Sequence, residues 1–455
     1  MKYTWLYLSR EDILTERRQC EEEGRDLSLL ENQFENVLSL DLDDLSNQAF
    51  AERLLDQTIE LPIRAGYTYH EPSDLDSIRQ ARPAHRPTLP RLTQNEAERY
   101  DRIYGAWLGR VCGCLLGKPV EGWRRNRMWG YLMDTHRFPL NDYFYYQVPA
   151  DIQKKYDLQP QNAFADLIQE MPADDDLNYT TAGMTVLQRY GSNFTPAQVA
   201  EFWLSDIPIL RTCTAERVAY RNLVELKAPP LAASFRNPYR EWIGAQIRAD
   251  FYGYAAAGNP ELAAEFAWRD ASISHVKNGI YGAMWVAAMT AAAFVMNDVR
   301  SIIEVGLSQI PERSRLAAAI QAVLQWHRAD LTYDEAVERI HQQWDETRAH
   351  DWCHTISNAI IVATALMWGE GDWVSTITKA VQACFDTDCN GATAGSIVGI
   401  MTGAGKLPSK WTEVVHDTLN TDVAGYNKVK ISEMAKATLP LVYRTASDIS
   451  EETGG

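Results

Sequence analysis

The chain has 455 residues, of which 46% are hydrophobic and 23% charged, so it can bury a sizeable core and wholesale disorder is excluded. Its formal net charge of −17, from 61 acidic and 44 basic residues, repels phosphate backbones and anionic membranes and argues against both as partners. No apolar run reaches the roughly eighteen residues needed to span a bilayer.

Met1-Lys2-Tyr3-Thr4-Trp5 soon meets charge at Arg10, Glu11 and Asp12, which does not read as a signal peptide. The seven cysteines are odd in number and contain no CxxC pair, so reduced thiols, a cytoplasmic location and no structural zinc site are expected. Residues 1–92 read as an acidic, mostly helical extension in which Leu30, Phe34, Val37 and Leu38 share one face. It closes with a linker over residues 82–91, where Pro83, Pro87 and Pro90 forbid a helix interior.

Residues 93–445 read as the main domain, and 446–455 as a polar tail. Helix signals dominate it and alternating strand patterns are scarce, so the predicted fold is all-α. Gly105, Gly109, Gly113 and Gly117 recur every fourth residue, as do Gly391, Gly395, Gly399 and Gly403. An interior glycine costs a helix about 1 kcal/mol relative to alanine. The flat stripe predicts a compensating close helix–helix contact, which would bring Glu121 and Asp386 near each other. Asp174-Asp175-Asp176 precedes a helical run over 178–190, and Thr195-Pro196 with Gln198 is a capping box ahead of Val199, Phe202 and Trp203. Thr332 with Glu335 repeats that signature before Val337, Ile340 and Trp344, and Trp373, Ile377, Val381 and Cys384 form a further apolar stripe.

Two acidic clusters carry the chemical signal: Asp174-Asp175-Asp176 and Asp386-Thr387-Asp388. Each stands at a predicted helix N-terminus, where carboxylates also serve as plain caps. Three consecutive aspartates exceed capping needs, because like charges repel unless a cation sits among them. Oxygen donors of this kind suit Mg²⁺, Mn²⁺ or Ca²⁺ rather than zinc. An EF-hand beginning at Asp386 fails, since its twelfth position is Ile397 where a glutamate is required. A phosphate loop at Gly399–Lys406 fails on spacing and on the missing hydroxyl.

Gly105-Ala106-Trp107-Leu108-Gly109, Gly117 through Glu121, Asp174 through Thr180, and Phe385 through Ala392 with Gly395, Gly399, Gly403, Pro408 and Trp411 together resemble the ADP-ribosylglycohydrolase family over about residues 98–440. The aspartate run alone also loosely resembles helical terpene synthases, whose second metal motif is poorly matched at Asn297-Asp298, Ser301 and Glu304. The glycohydrolase resemblance implies an all-α enzyme with two Mg²⁺ ions (or Mn²⁺) that cleaves the anomeric bond of ADP-ribosyl groups, possibly protein-linked. It implies metal ligands at Asp174, Asp175, Asp176, Asp386 and Asp388, and a catalytic carboxylate at Glu121 or Asp176. Substrate contacts would fall on His275, Asn278, Gly279, Phe385 and Cys389. This sequence departs from the family pattern in having Asp174 and Cys389 for threonines, Phe385 for a glycine and Cys114 for an aspartate, which implies an altered pocket. A hydrolase of free ribosides or small glycosylated metabolites, and a non-catalytic module on the same fold, are the alternative expectations.

Overall fold

The computed structural model describes residues 2–160 and 163–443. The expected tail at 446–455 lies outside the described residues. Within them the chain forms 24 α-helices and two three-residue strands, an all-α fold, and no helix is long and apolar enough to cross a membrane. Eight helices that position the site are numbered here in chain order: α1 (Arg10–Glu22), α2 (Glu96–Gly117), α3 (Asp175–Tyr190), α4 (Thr214–Val224), α5 (Lys277–Ala293), α6 (Thr355–Gly369), α7 (Trp373–Gln382) and α8 (Thr387–Thr402). The strands, Thr418–Asn420 and Lys428–Lys430, pair antiparallel, and Met171 bridges to Leu419, which anchors the segment leading into Asp174.

Capping chemistry sets the helix starts. Thr195 and Thr332 each accept a hydrogen bond from the backbone three residues on and receive the reciprocal contact from Gln198 and Glu335. Two stripe ends differ from the predicted ones. Trp344 already has extended backbone, and Cys384 lies past the end of α7 with a positive φ of 69°.

The two glycine stripes meet as an antiparallel pair, α2 against α8. A Cβ added to Gly105, Gly109 or Gly113 would lie 2.4, 2.2 or 2.0 Å from the carbonyl oxygen of Gly399, Gly395 or Gly391. At Gly117 it would lie 2.3 Å from the Thr387 carbonyl oxygen. Only residues without side chains permit this approach. The register brings the C-terminal end of α2 against the first turn of α8.

The main core runs from Ile78 to Ala435, and a separate apolar cluster built on Ile13, Phe34, Val37, Leu54 and Leu55 fills the N-terminal segment. Charge docks that segment on the rest. Arg240 pairs with Glu16 at 2.5 Å and with Glu23 at 2.7 Å, and Lys277 reaches Glu23 at 2.8 Å. Arg315 holds Glu71 at 2.9 Å and Glu241 at 2.7 Å. Residues 82–91 have no regular structure.

Candidate active site

Three helix ends build the site. Asp174 is the N-cap of α3, and its side chain accepts the Asp176 N–H at 2.9 Å. Asp386 is the N-cap of α8 but makes no side-chain capping bond, which leaves its carboxylate available, and Asp388 follows in the first turn. The end of α2 delivers Cys114, then Lys118 and Glu121. Ligating atoms of Cys114, Asp174, Asp176 and Asp388 all lie within 4.8 Å of one another, and so do those of Asp386, Asp388 and Cys389. Asp388 belongs to both groups. The structure therefore brings together two acidic turns that are more than two hundred residues apart along the chain.

Cations already meet part of this charge. Lys118 Nζ stands 2.5 Å from Asp174 Oδ2. Arg110, fully buried, donates to Asp176 Oδ1 and Asp250 Oδ2, each at 2.9 Å, and to Thr180 Oγ1 at 2.6 Å. Asp176 Oδ2 and Asp388 Oδ1 remain buried without a hydrogen-bond partner. An orphaned buried carboxylate oxygen is costly, and a bound cation is one group that relieves it.

The electrostatics agree. Burial first, then the Asp174 and Asp388 charges, push Asp175 up to about 8. Burial and then Asp388 and Glu121 push Asp386 well up. Asp176 is likewise raised, burial outweighing Arg110, and Asp388 is raised by burial and then by Asp174. Asp174 is the exception: burial works against its charge, yet the Lys118 ammonium holds it below the ordinary carboxylate value. Glu121 is raised well above its ordinary value, first by the Asp388 charge and then by desolvation. Carboxylates crowded this way repel one another, so the residues present fit a divalent cation. Cys114 and Cys389 add two thiols to the oxygen donors. Burial and the neighbouring carboxylates raise both thiols well above their ordinary value.

Above these groups opens a cavity of about 470 Å³. Glu121, Asp175, Asp386, Asp388 and Cys389 line its acidic end, and Glu216 and Trp242 line its sides. Trp5, Tyr7, Glu11 and Asp12 of the N-terminal segment supply a further wall.

Not every predicted residue reaches this cavity. His275 is buried behind Glu216, its Nε2 4.0 Å from Glu216 Oε1 and its Nδ1 2.8 Å from Ser274 Oγ. Asn278 is spent on Glu71 and on the Leu316 N–H, and Gly279 packs against the Arg240 carbonyl. The start of α5 thus serves the docking of neighbouring segments rather than the cavity. Phe385 is buried with its ring 5.0 Å from that of His341, and it too is absent from the lining. Asp176 is absent from the lining and accepts a hydrogen bond from Arg110 beneath it. Asp298 caps its helix through Ser301, which accounts for the terpene-synthase-like residues.

Sequence reasoning missed Arg110, Lys118, Glu216 and the N-terminal wall. Signals existed for two of them: Lys118 lies within the Gly117–Glu121 motif, and Arg110 is a cation inside an apolar glycine stripe, which must find a buried partner. The segment from Thr4 to Thr15 carries only a capping box, Ser9 with Asp12, and no chemical motif.

The structure is that of a helical protein that gathers carboxylates from distant segments beneath one cavity. The chain belongs to the ADP-ribosylglycohydrolase family, whose sequence model matches residues 95–447. Among solved structures, one described as an ADP-ribosylglycohydrolase-related protein complex is similar over 76% of this chain and 98% of that chain, at 19% identity and a TM-score of 0.44. No curated protein matches. The family match begins after α1, so the N-terminal wall of the cavity lies outside it.

Proposed function

We propose that this protein is a divalent-cation-dependent glycohydrolase that cleaves the anomeric bond of an ADP-ribosyl or related ribosyl group. The observation that carries this reading is the convergence of Asp174, Asp176 and Asp388, with two orphaned carboxylate oxygens, beside a cavity that Glu121 also lines. Asp174, Asp175, Asp176, Asp386 and Asp388 would hold two Mg²⁺ ions, with Mn²⁺ as the substitute. Bound there, the ions would supply Lewis-acid grip on the ribose hydroxyls and a more acidic water.

The chain's own residues do the rest. Cleavage at an anomeric carbon develops positive charge on the sugar, and the acidic end of the cavity stabilises it. Glu121 lines the cavity and is the carboxylate we assign to proton transfer; the Asp388 charge, then burial, raise it well above its ordinary value. Lys118 and Arg110 hold Asp174 and Asp176 in place. Cys389, at the edge of the cavity, would contact the sugar side of the substrate.

Asp388→Asn tests the reading. Ribosyl hydrolysis should fall by about a thousandfold or more while the helical circular dichroism spectrum stays intact. Full activity of that variant in the presence of chelator would refute it.

A further inference from the structure

The N-terminal segment, which lies outside the family match, forms one wall of the cavity, and the character of that wall bears on the substrate. Trp5 is held in the left-handed region, at φ 64°, with the Arg217 guanidinium 4.8 Å from its ring. Arg217 also donates to the Thr4 and Leu210 carbonyls, both at 3.1 Å, so the wall is fastened from behind. Strain of this kind persists only where the surroundings enforce it. Facing the cavity beside Trp5 are Tyr7, Trp242 and Trp352.

The charge on the walls has one sign. Among the described residues, every charged side chain lining the cavity is a carboxylate, including Glu11 and Asp12 well beyond the metal-holding aspartates; Glu216, which also lines it, is neutralised by Arg248. The nearby cations are engaged elsewhere: Arg248 with Glu216 and Asp270, Lys118 with Asp174, Arg217 behind Trp5. A diphosphate would have to pack against these carboxylates without a guanidinium or ammonium to receive it. Aromatic faces combined with carboxylates are instead the surroundings that a flat organic cation prefers.

Resting on the glycohydrolase reading, we infer that the substrate is a phosphate-free N-riboside whose leaving group is a cationic aromatic ring. In such a reaction the bond from the anomeric carbon to the ring nitrogen breaks, and its electron pair neutralises the nitrogen. Water adds its oxygen to the carbon, and its proton passes to a Glu121 carboxylate oxygen. The N-terminal rings hold the leaving group, and the acidic end of the cavity holds the ribose.

The test uses the full chain with Mg²⁺ and a matched pair of probes, the β-N-riboside of 3-carbamoylpyridinium and the same compound carrying ADP at its 5′ position. Hydrolysis and quenching of tryptophan fluorescence are followed for both. The phosphate-free riboside should be favoured in kcat/KM and in binding by about tenfold or more. Trp5→Ala should raise its KM about tenfold with kcat nearly unchanged, Trp5→Phe should restore it, and Glu11→Lys should narrow the preference. Preference for the ADP-bearing compound would overturn the substrate class and leave the glycohydrolase reading standing. Binding of the free riboside without turnover would uphold the class and sink that reading. Failure of both probes to bind, or indifference of KM to Trp5→Ala, would overturn the inference.

Discussion

Lys118 illustrates how single residues govern this site. Its ammonium meets Asp174 in a largely buried pair and, among the described residues, is the one lysine that counters the acidic cluster directly. Removing one partner of such a pair leaves an uncompensated charge, so Lys118→Met should cost the metal-free protein about 3 kcal/mol. A divalent cation would then make up more of the missing charge than it does in the unaltered protein. The rise in Tm on replacing chelator with Mg²⁺ should therefore be larger in Lys118→Met; an equal or smaller rise would show that Lys118 is not the counter-charge. Phe385 shows a different compromise. It follows Cys384, and both have positive φ, 61° and 69°, where the family pattern has glycine at the position before Asp386. Each such residue costs on the order of 1–3 kcal/mol, and the burial of the Phe385 ring against His341 offsets the strain.

Among the elements, the α2–α8 pair is the one on which the site depends. Alanine normally stabilises a helix relative to glycine by about 1 kcal/mol. At Gly113 the sign should reverse, because the new methyl would lie 2.0 Å from the Gly391 carbonyl oxygen and neither backbone can yield alone. Gly113→Ala should cost about 3 kcal/mol or more and weaken cation binding, since the first turn of α8 carries Asp388. Chemical denaturation with and without Mg²⁺ measures both effects, and a stabilised variant would contradict the close-contact account. Helix N-termini supply the other half of the geometry, because α3 and α8 each begin with a carboxylate at the cap. The dipole there favours the charge that the cluster's own repulsion opposes.

For the molecule as a whole, the docking of the N-terminal segment is an electrostatic problem. Glu22 lies between two imidazoles, 3.2 Å from His350 Nε2 and 3.4 Å from His354 Nε2. Trp242 Nε1–H donates to His350 Nδ1 and the Ile356 N–H to His354 Nδ1, which assigns both rings the tautomer that carries its proton toward Glu22. Burial holds His350 below its ordinary value. Glu22 also sits low, since the contacts with His350, His354 and Arg315 together outweigh its burial. Both folded values are depressed, so the undocked chain binds more protons and docking weakens as pH falls. The loss begins below about 6.5 for His350 and continues below about 4.3 for Glu22. Limited proteolysis at residues 82–91 should accelerate between pH 7.5 and pH 5.5 while the main core stays resistant; unchanged cleavage would exclude this clasp.

The all-α class, the two acidic turns and the glycine stripes were legible in the sequence, because capping boxes, like-charge repulsion and four-residue spacing are local or periodic signals. The stripes even predicted which helix ends would meet. Periodicity does not reveal which side chains face a cavity. His275, Asn278 and Gly279 fit a motif, yet His275 is buried behind Glu216, Asn278 is spent on Glu71 and Gly279 packs on the Arg240 carbonyl, whereas Glu216 and Trp5 line the cavity. Helix starts and the two acidic turns are written in contacts a few residues apart, so they can be read before any fold is known. Tertiary structure alone decided that Asp174 and Asp388 share one place and that an N-terminal segment closes over it. Those facts depend on helix packing and on ion pairs between residues hundreds of positions apart, whose geometry no local pattern encodes.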